Sequence, residues 1–117
     1  MPSPILTIAL QNLSATSIPA GGTVQLTDVT TCAPNSPAPS IATLIDFYIG
    51  PTINQPSGAT VIISKNVANL IIGQSYTRPD GTRALTIPTA VTPGSKFIIA
   101  RLRQYQTVIS SVPITVM

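Results

Sequence analysis

Histidine, tryptophan and glutamate are missing from this chain, and cysteine occurs once. Acidic side chains number only three, Asp28, Asp46 and Asp80, against six lysines and arginines. Each absence removes a class of chemistry. Zinc sites are built from His/Cys sets that do not exist here. Calcium needs clustered oxygen ligands, and no Asp-x-Asp run occurs. No glycine-rich phosphate loop is present. A hydrolase needs an acid–base pair or a nucleophile with its base. The three aspartates fall in separate predicted elements: Asp28 at a suspected bulge, Asp46 outward on a strand, Asp80 in a turn. Asp46 is expected opposite Arg101 or Arg103 of a neighbouring strand. No catalytic, cofactor-binding or metal-ligating residue is singled out, no cofactor is expected, and the expectation is a protein that is not an enzyme. Cys32 cannot form an intramolecular disulfide. It is a small buried hydrophobe, a loose thiol or an intermolecular bridge.

Charge is also scarce. Charged residues make up 8% of the chain, against about 25% in ordinary globular proteins. The pI near 9.5 therefore reflects too few acids rather than a cationic cluster. Basic residues come close only as Arg101 with Arg103, and as Arg78 and Arg83 flanking a turn. Nucleic-acid binders concentrate such residues into a patch or stripe, so nucleic acid is not an expected partner. Apolar runs such as Val61–Ile63 and Leu70–Ile72 are far too short to span a bilayer, so no membrane association is expected. The start, Met-Pro-Ser-Pro, shows neither a cationic segment nor an apolar stretch of the Sec signal type. Asn12-Leu13-Ser14 matches a glycosylation sequon, a tripeptide common by chance.

What the chain does contain is alternation. Ile41–Gly50 (IATLIDFYIG) places Ile45, Phe47 and Ile49 on one side and Leu44, Asp46 and Tyr48 on the other. A period of two with β-branched and aromatic residues predicts a half-buried central strand. Lys96–Gln104 repeats the pattern, with Ile98, Ala100 and Leu102 opposed to Phe97, Ile99, Arg101 and Arg103. Ile5–Leu10 is a first strand, and Leu13–Ile18 its continuation or a short edge piece. Thr23–Val29 is a strand whose parity slips at Asp28-Val29, which predicts a bulge. Thr31–Ser40, with three prolines, is a loop, and so is Pro51–Gly58. Thr60–Val67 and Leu70–Thr77 are two short strands. Arg78–Thr82 (RPDGT) carries turn residues in turn order. Ala84–Ile87 is a strand, and Pro88–Gly94 leads to a turn. Thr107–Met117 closes the chain, with Pro113 marking an edge. No helical periodicity occurs. The expected fold is all-β: a single immunoglobulin-like β-sandwich domain over residues 1–117, with seven to nine short antiparallel strands.

Five segments in order, AGGTVQL (20–26), IDFYIG (45–50), ANLIIGQSY (68–76), LTIP (85–88) and PGSKFIIARLR (93–103), resemble the CARDB-type (cell-adhesion-related) immunoglobulin-like module. That family is itself similar to fibronectin III sandwiches. The resemblance spans nearly the whole chain and implies the same sandwich. It departs where Lys96 stands in place of the family's usual Tyr. It departs again where Arg103 and Gln104 replace the acidic end of that strand, so no metal role is carried over. Such modules usually recur within long secreted chains.

In such a sandwich the third and penultimate strands are neighbours. Their outward faces then form one patch: Leu44, Asp46 and Tyr48 beside Phe97, Ile99, Arg101 and Arg103. Apolar side chains with Tyr and Arg are what interfaces favour, and an exposed patch of this kind marks an interaction site; the alternatives are that a loop or the terminal segment covers it, or that the two faces are inverted. The expected function is non-enzymatic and structural: a phage capsid decoration (cement) protein on the virion surface. Its partners would be capsid proteins or other copies of itself, in an oligomer or lattice. It would lie across capsomer junctions. The alternative is a cell-surface, extracellular adhesion or carbohydrate-binding module, for which Tyr48, Tyr76, Phe97 and Tyr105 are the available aromatics.

Overall fold

The computed structural model describes residues 6–32, 41–70, 76–103 and 108–117, and every element in them is a strand. In chain order these are β1 (Leu6–Gln11), β2 (Ser17–Ile18), β3 (Thr23–Cys32), β4 (Ile41–Gly50), β5 (Thr60–Leu70), β6 (Tyr76–Thr86), β7 (Gly94–Leu102) and β8 (Ile109–Val116). They form a three-stranded sheet, β1-β3-β6, facing a five-stranded sheet, β2-β8-β7-β4-β5. All pairings are antiparallel except the short parallel contact of β2 with the end of β8. This is an immunoglobulin-like β-sandwich.

Alternation explains which side chains meet between the sheets. The three-stranded sheet contributes Ile8, Val24, Leu26 and Leu85, and Ile87 follows from the end of β6. The five-stranded sheet contributes Ile45, Phe47, Ile49, Ile98, Ala100, Leu102, Ile114 and Val116. Phe47 is the largest fully buried side chain. Burying a residue of that type stabilises by roughly 1.5–3 kcal/mol.

β4 has the bounds its alternation predicts. It lies one strand in from the sheet edge, while β7 holds the middle place. The expected bulge is present: the β3–β6 register shifts between Asp28 and Val29. Two expectations are corrected. Thr60–Leu70 is one strand, not a strand cut at Val67. And Arg78–Thr82 is not a turn but runs inside β6, with Val29 opposite Pro79, Asp28 opposite Gly81, and Asp80 as the extra residue between them. The reason is chemical. Proline, which cannot donate to a ladder, and glycine suit a bulge as well as a turn. The prolines of the segment expected as a loop after Thr31 lie outside the described residues, while Thr31 and Cys32 themselves extend β3.

Pro113 sits as expected at an open edge. Thr115 and Met117 donate their N–H groups to Thr16 and Ile18 beside β2. By alternation Pro113 faces that same side, beyond the end of β2, where its missing N–H costs no hydrogen bond.

Candidate protein-interaction face

The outer face of the five-stranded sheet carries the seven residues singled out from the sequence. β4 supplies Leu44, Asp46 and Tyr48. β7 supplies Phe97, Ile99 and Arg101, and Arg103 follows immediately after it. The register sets Asp46 opposite Arg101, Tyr48 opposite Ile99 and Gly50 opposite Phe97. The Arg103 N–H bonded to the Leu44 carbonyl, at 2.9 Å, extends the pairing past the strand end. The topology therefore brings all seven together.

They are not equally open. Ile99 is 0% exposed, Tyr48 and Asp46 are each 9% exposed, and of the seven only Arg103 is well exposed. The expectation of an open apolar patch is corrected on this point. Ile99 is out of reach of a partner in this structure. The Pro51–Ala59 loop explains why. It leaves β4 at Gly50 and reaches β8, crossing β7 on the way. At the far side the Asn54 N–H donates to Ser111 Oγ at 2.8 Å, and the Ser111 hydroxyl donates to Asn54 Oδ1 at 2.7 Å. Ser111 stands opposite Ile99 in the ladder. Asn54 holds φ +54°, a left-handed conformation that Asn tolerates better than most residues. At the root of this strap Gly50 lies so close to Ala59 that a side chain could not fit. A Cβ there would meet the Ala59 Cβ at 2.7 Å.

Beyond the strap the face is polar. Arg103 Nη2 donates to Asp46 Oδ1 at 2.7 Å and its Nε donates to Oδ2 at 3.3 Å. The Ser64 hydroxyl, from β5, donates to the same Oδ1. Asp46 is therefore held below the usual carboxylate range. The Arg103 hydrogen bond is the main cause, and burial opposes it; Ser64 and the nearby charges of Arg103 and Arg101 add to the lowering. Arg101 leans over Tyr48. Its Nη2 donates to the Tyr48 hydroxyl at 3.1 Å and its Cζ stands 5.5 Å from the ring centroid. Sequence reading anticipated Asp46 near these two arginines. It missed Ser111, Asn54 and Ser64, whose roles depend on where a loop lands and on a strand pairing that no local pattern carries.

Elsewhere, Asp28 on the inner face of β3 is fully buried and receives Arg83 Nε at 2.8 Å and Nη2 at 3.4 Å. A cleft of about 260 Å³ at one end of the sandwich is lined by Gly50, Pro51, Val91, Thr92 and Lys96 among others. Lys96 Nζ donates there to Thr92 Oγ1 at 3.1 Å. Among the described residues no three His, Cys, Asp or Glu side chains gather as a metal site would require.

No protein-family model matches the sequence. No curated protein matches it either. Solved structures do match in fold. The CARDB domain of the PF1109 protein from Pyrococcus furiosus, solved with di-metal ions, superposes at TM-score 0.60 and 11% identity, covering 98% of this chain and 90% of that one. A β-glucosidase from Listeria innocua gives TM-score 0.60 and 11% identity over 97% of this chain. The β-glucosidase EmGH1 of Erythrobacter marinus gives 0.61 and 12% over the same share. This chain spans only 16% of either glucosidase. At such identities the likeness is one of fold. The fold is shared with a CARDB domain, consistent with the motif resemblance.

Proposed function

We propose that this chain is a non-enzymatic structural and interaction module that docks onto other proteins through the outer face of its five-stranded sheet. The observation that carries this reading is the gathering of half-buried Phe97 and Arg101 with exposed Arg103 on one sheet face, over buried Tyr48. Tyrosine and arginine dominate the energetics of protein interfaces. The reading as a non-enzyme draws on Asp28 and Asp46. Both Asp28 and Asp46 are committed to arginines, which leaves neither poised as a base.

The narrower reading is a decoration protein on a virion surface, bound to capsid proteins. It is supported by a surface with few charges, which suits close packing against a shell. Particles lacking the protein are then expected to assemble but to break at lower temperature than complete ones. Equal thermal stability of the two would count against this role. A second reading, adhesion at a cell surface, is favoured by the fold shared with a CARDB domain. Within it protein contact is preferred to sugar stacking, because Tyr48 is 9% exposed and offers no open ring face. A glycan array is expected to show no binding. Light scattering across a concentration series, with Tyr48→Ser and Phe97→Ser as comparison variants, tests the general reading when paired with capsid or cell-surface binding assays.

A further inference from the structure

We infer that the Arg101 end of this face receives a carboxylate from an acidic segment of a foreign protein. The inference rests on the interaction-module reading and adds the chemistry of the partner.

Three observations converge on Arg101. Among the described residues its guanidinium forms no ion pair, and because Nε is buried, it is the Nη edge that faces a partner. Its Nη2 and its π-face contact are both with Tyr48. The nearest acid, Asp46, is already bound by Arg103 and Ser64. Among the described side chains this corner of the face therefore holds two cations, Arg101 and Arg103, against one anion, Asp46. Tyr48 fixes the plane of the guanidinium, so its fork is oriented before any partner arrives. A planar, pre-oriented fork suits a carboxylate, which can accept two parallel hydrogen bonds. Half-buried Leu44 and Ile109 lie on the same face, with Ile109 opposite Arg101 in the β7–β8 ladder. Apolar neighbours exclude water from such a pair and strengthen it.

Charge complementarity decides against a second copy as the occupant. The chain has three acidic side chains. Asp28 is 0% exposed and lies against Arg83; Asp46 is engaged by Arg103. Two of its three acids are thus already committed within the chain, and a copy is a poor source of carboxylate. An acidic stretch of another protein meets the need directly.

The test titrates the full-length ¹⁵N-labelled chain with a deca-glutamate peptide at low salt, about 50 mM, where surface charges are least screened. Amide shifts are expected at Leu44, Tyr48, Arg101 and Ile109. Arg101→Gln is expected to weaken binding about tenfold, the worth of a hydrogen-bonded charge. Lys96→Gln, at the sandwich end, is expected to bind as the parent does. A dispersed spectrum of each variant shows that it folds. Absence of binding, equal binding by Arg101→Gln, or shifts centred elsewhere would overturn the inference. So would tighter binding, at the same amides, of a single-stranded oligonucleotide or a sulfated oligosaccharide. If the peptide fails while light scattering shows association through Tyr48 and Phe97, the interaction module stands and only the acidic partner falls.

Discussion

Asp28 and Asp46 carry the same carboxylate into opposite settings, and the two should respond differently to the same change. Asp28 is fully buried, and Arg83, whose side chain is 13% exposed, lies 2.8 Å away. Losing one member of a buried pair leaves the other charge desolvated and costs about 3–5 kcal/mol. Asp28→Asn is therefore expected to lower unfolding stability by about 3 kcal/mol, read from urea denaturation. Asp46 pairs with an arginine whose side chain is 51% exposed, so its pair is screened by solvent and worth less. Its signature is pH dependence. Its folded-state pKa is depressed, so its contribution is complete above the unfolded carboxylate value, about 4, and is lost as pH falls through the lower folded value. The parent should lose stability on acidification below about pH 4. Asp46→Asn should show a shallower loss over that window. An identical pH profile for both would mean that the Arg103 contact contributes nothing in solution.

Among the elements, the Pro51–Ala59 strap sets what the candidate face presents, and its hold on β8 is local. Ser111 both donates to and accepts from Asn54. Ser111→Ala removes both bonds at an exposed site, where each contributes about 1 kcal/mol or less. The expected result is a global stability within about 1–2 kcal/mol of the parent, with faster amide exchange confined to the strap and to Ile99 beneath it. Unchanged exchange would show that packing, not the Asn54–Ser111 pair, holds the strap down. The strap also marks the limit of what the sequence could disclose. The faces of β4 and β7 were legible because a two-residue period is a property of consecutive side chains. The bulge at Asp28 was legible as a break in that period. The RPDGT segment misled because bulges and turns draw on the same residues. The landing of Asn54 on Ser111 was illegible, because it joins positions far apart whose local patterns say nothing of each other. Accordingly the members of the candidate face could be read from sequence, but not their accessibility.

At the scale of the whole molecule, the two ends of the five-stranded sheet are defended unequally. At one end β2 covers only the last residues of β8, and Pro113 stands where the ladder is left open. A proline there denies a donor to any incoming strand. At the other end β5 pairs, among the described residues, with β4 alone. Its first half, Thr60–Ser64, carries neither a charge nor a proline, and Val61 and Ile63 are 60% and 37% exposed. Long edges with exposed apolar side chains invite strand addition. Self-association through β5 is therefore a hazard in addition to docking through the sheet face, and Val61, opposite Tyr48 in the ladder, lies where that edge borders the face. Val61→Lys places a charge on the edge at an exposed site, where stability should change by no more than about 0.5 kcal/mol. Light scattering should then show less growth of mass with concentration than in the parent, while deca-glutamate binding persists. Pro113→Val should do the reverse, restoring a donor at the guarded end and adding a second route to association. If both variants behave as the parent, neither edge of the five-stranded sheet pairs in solution.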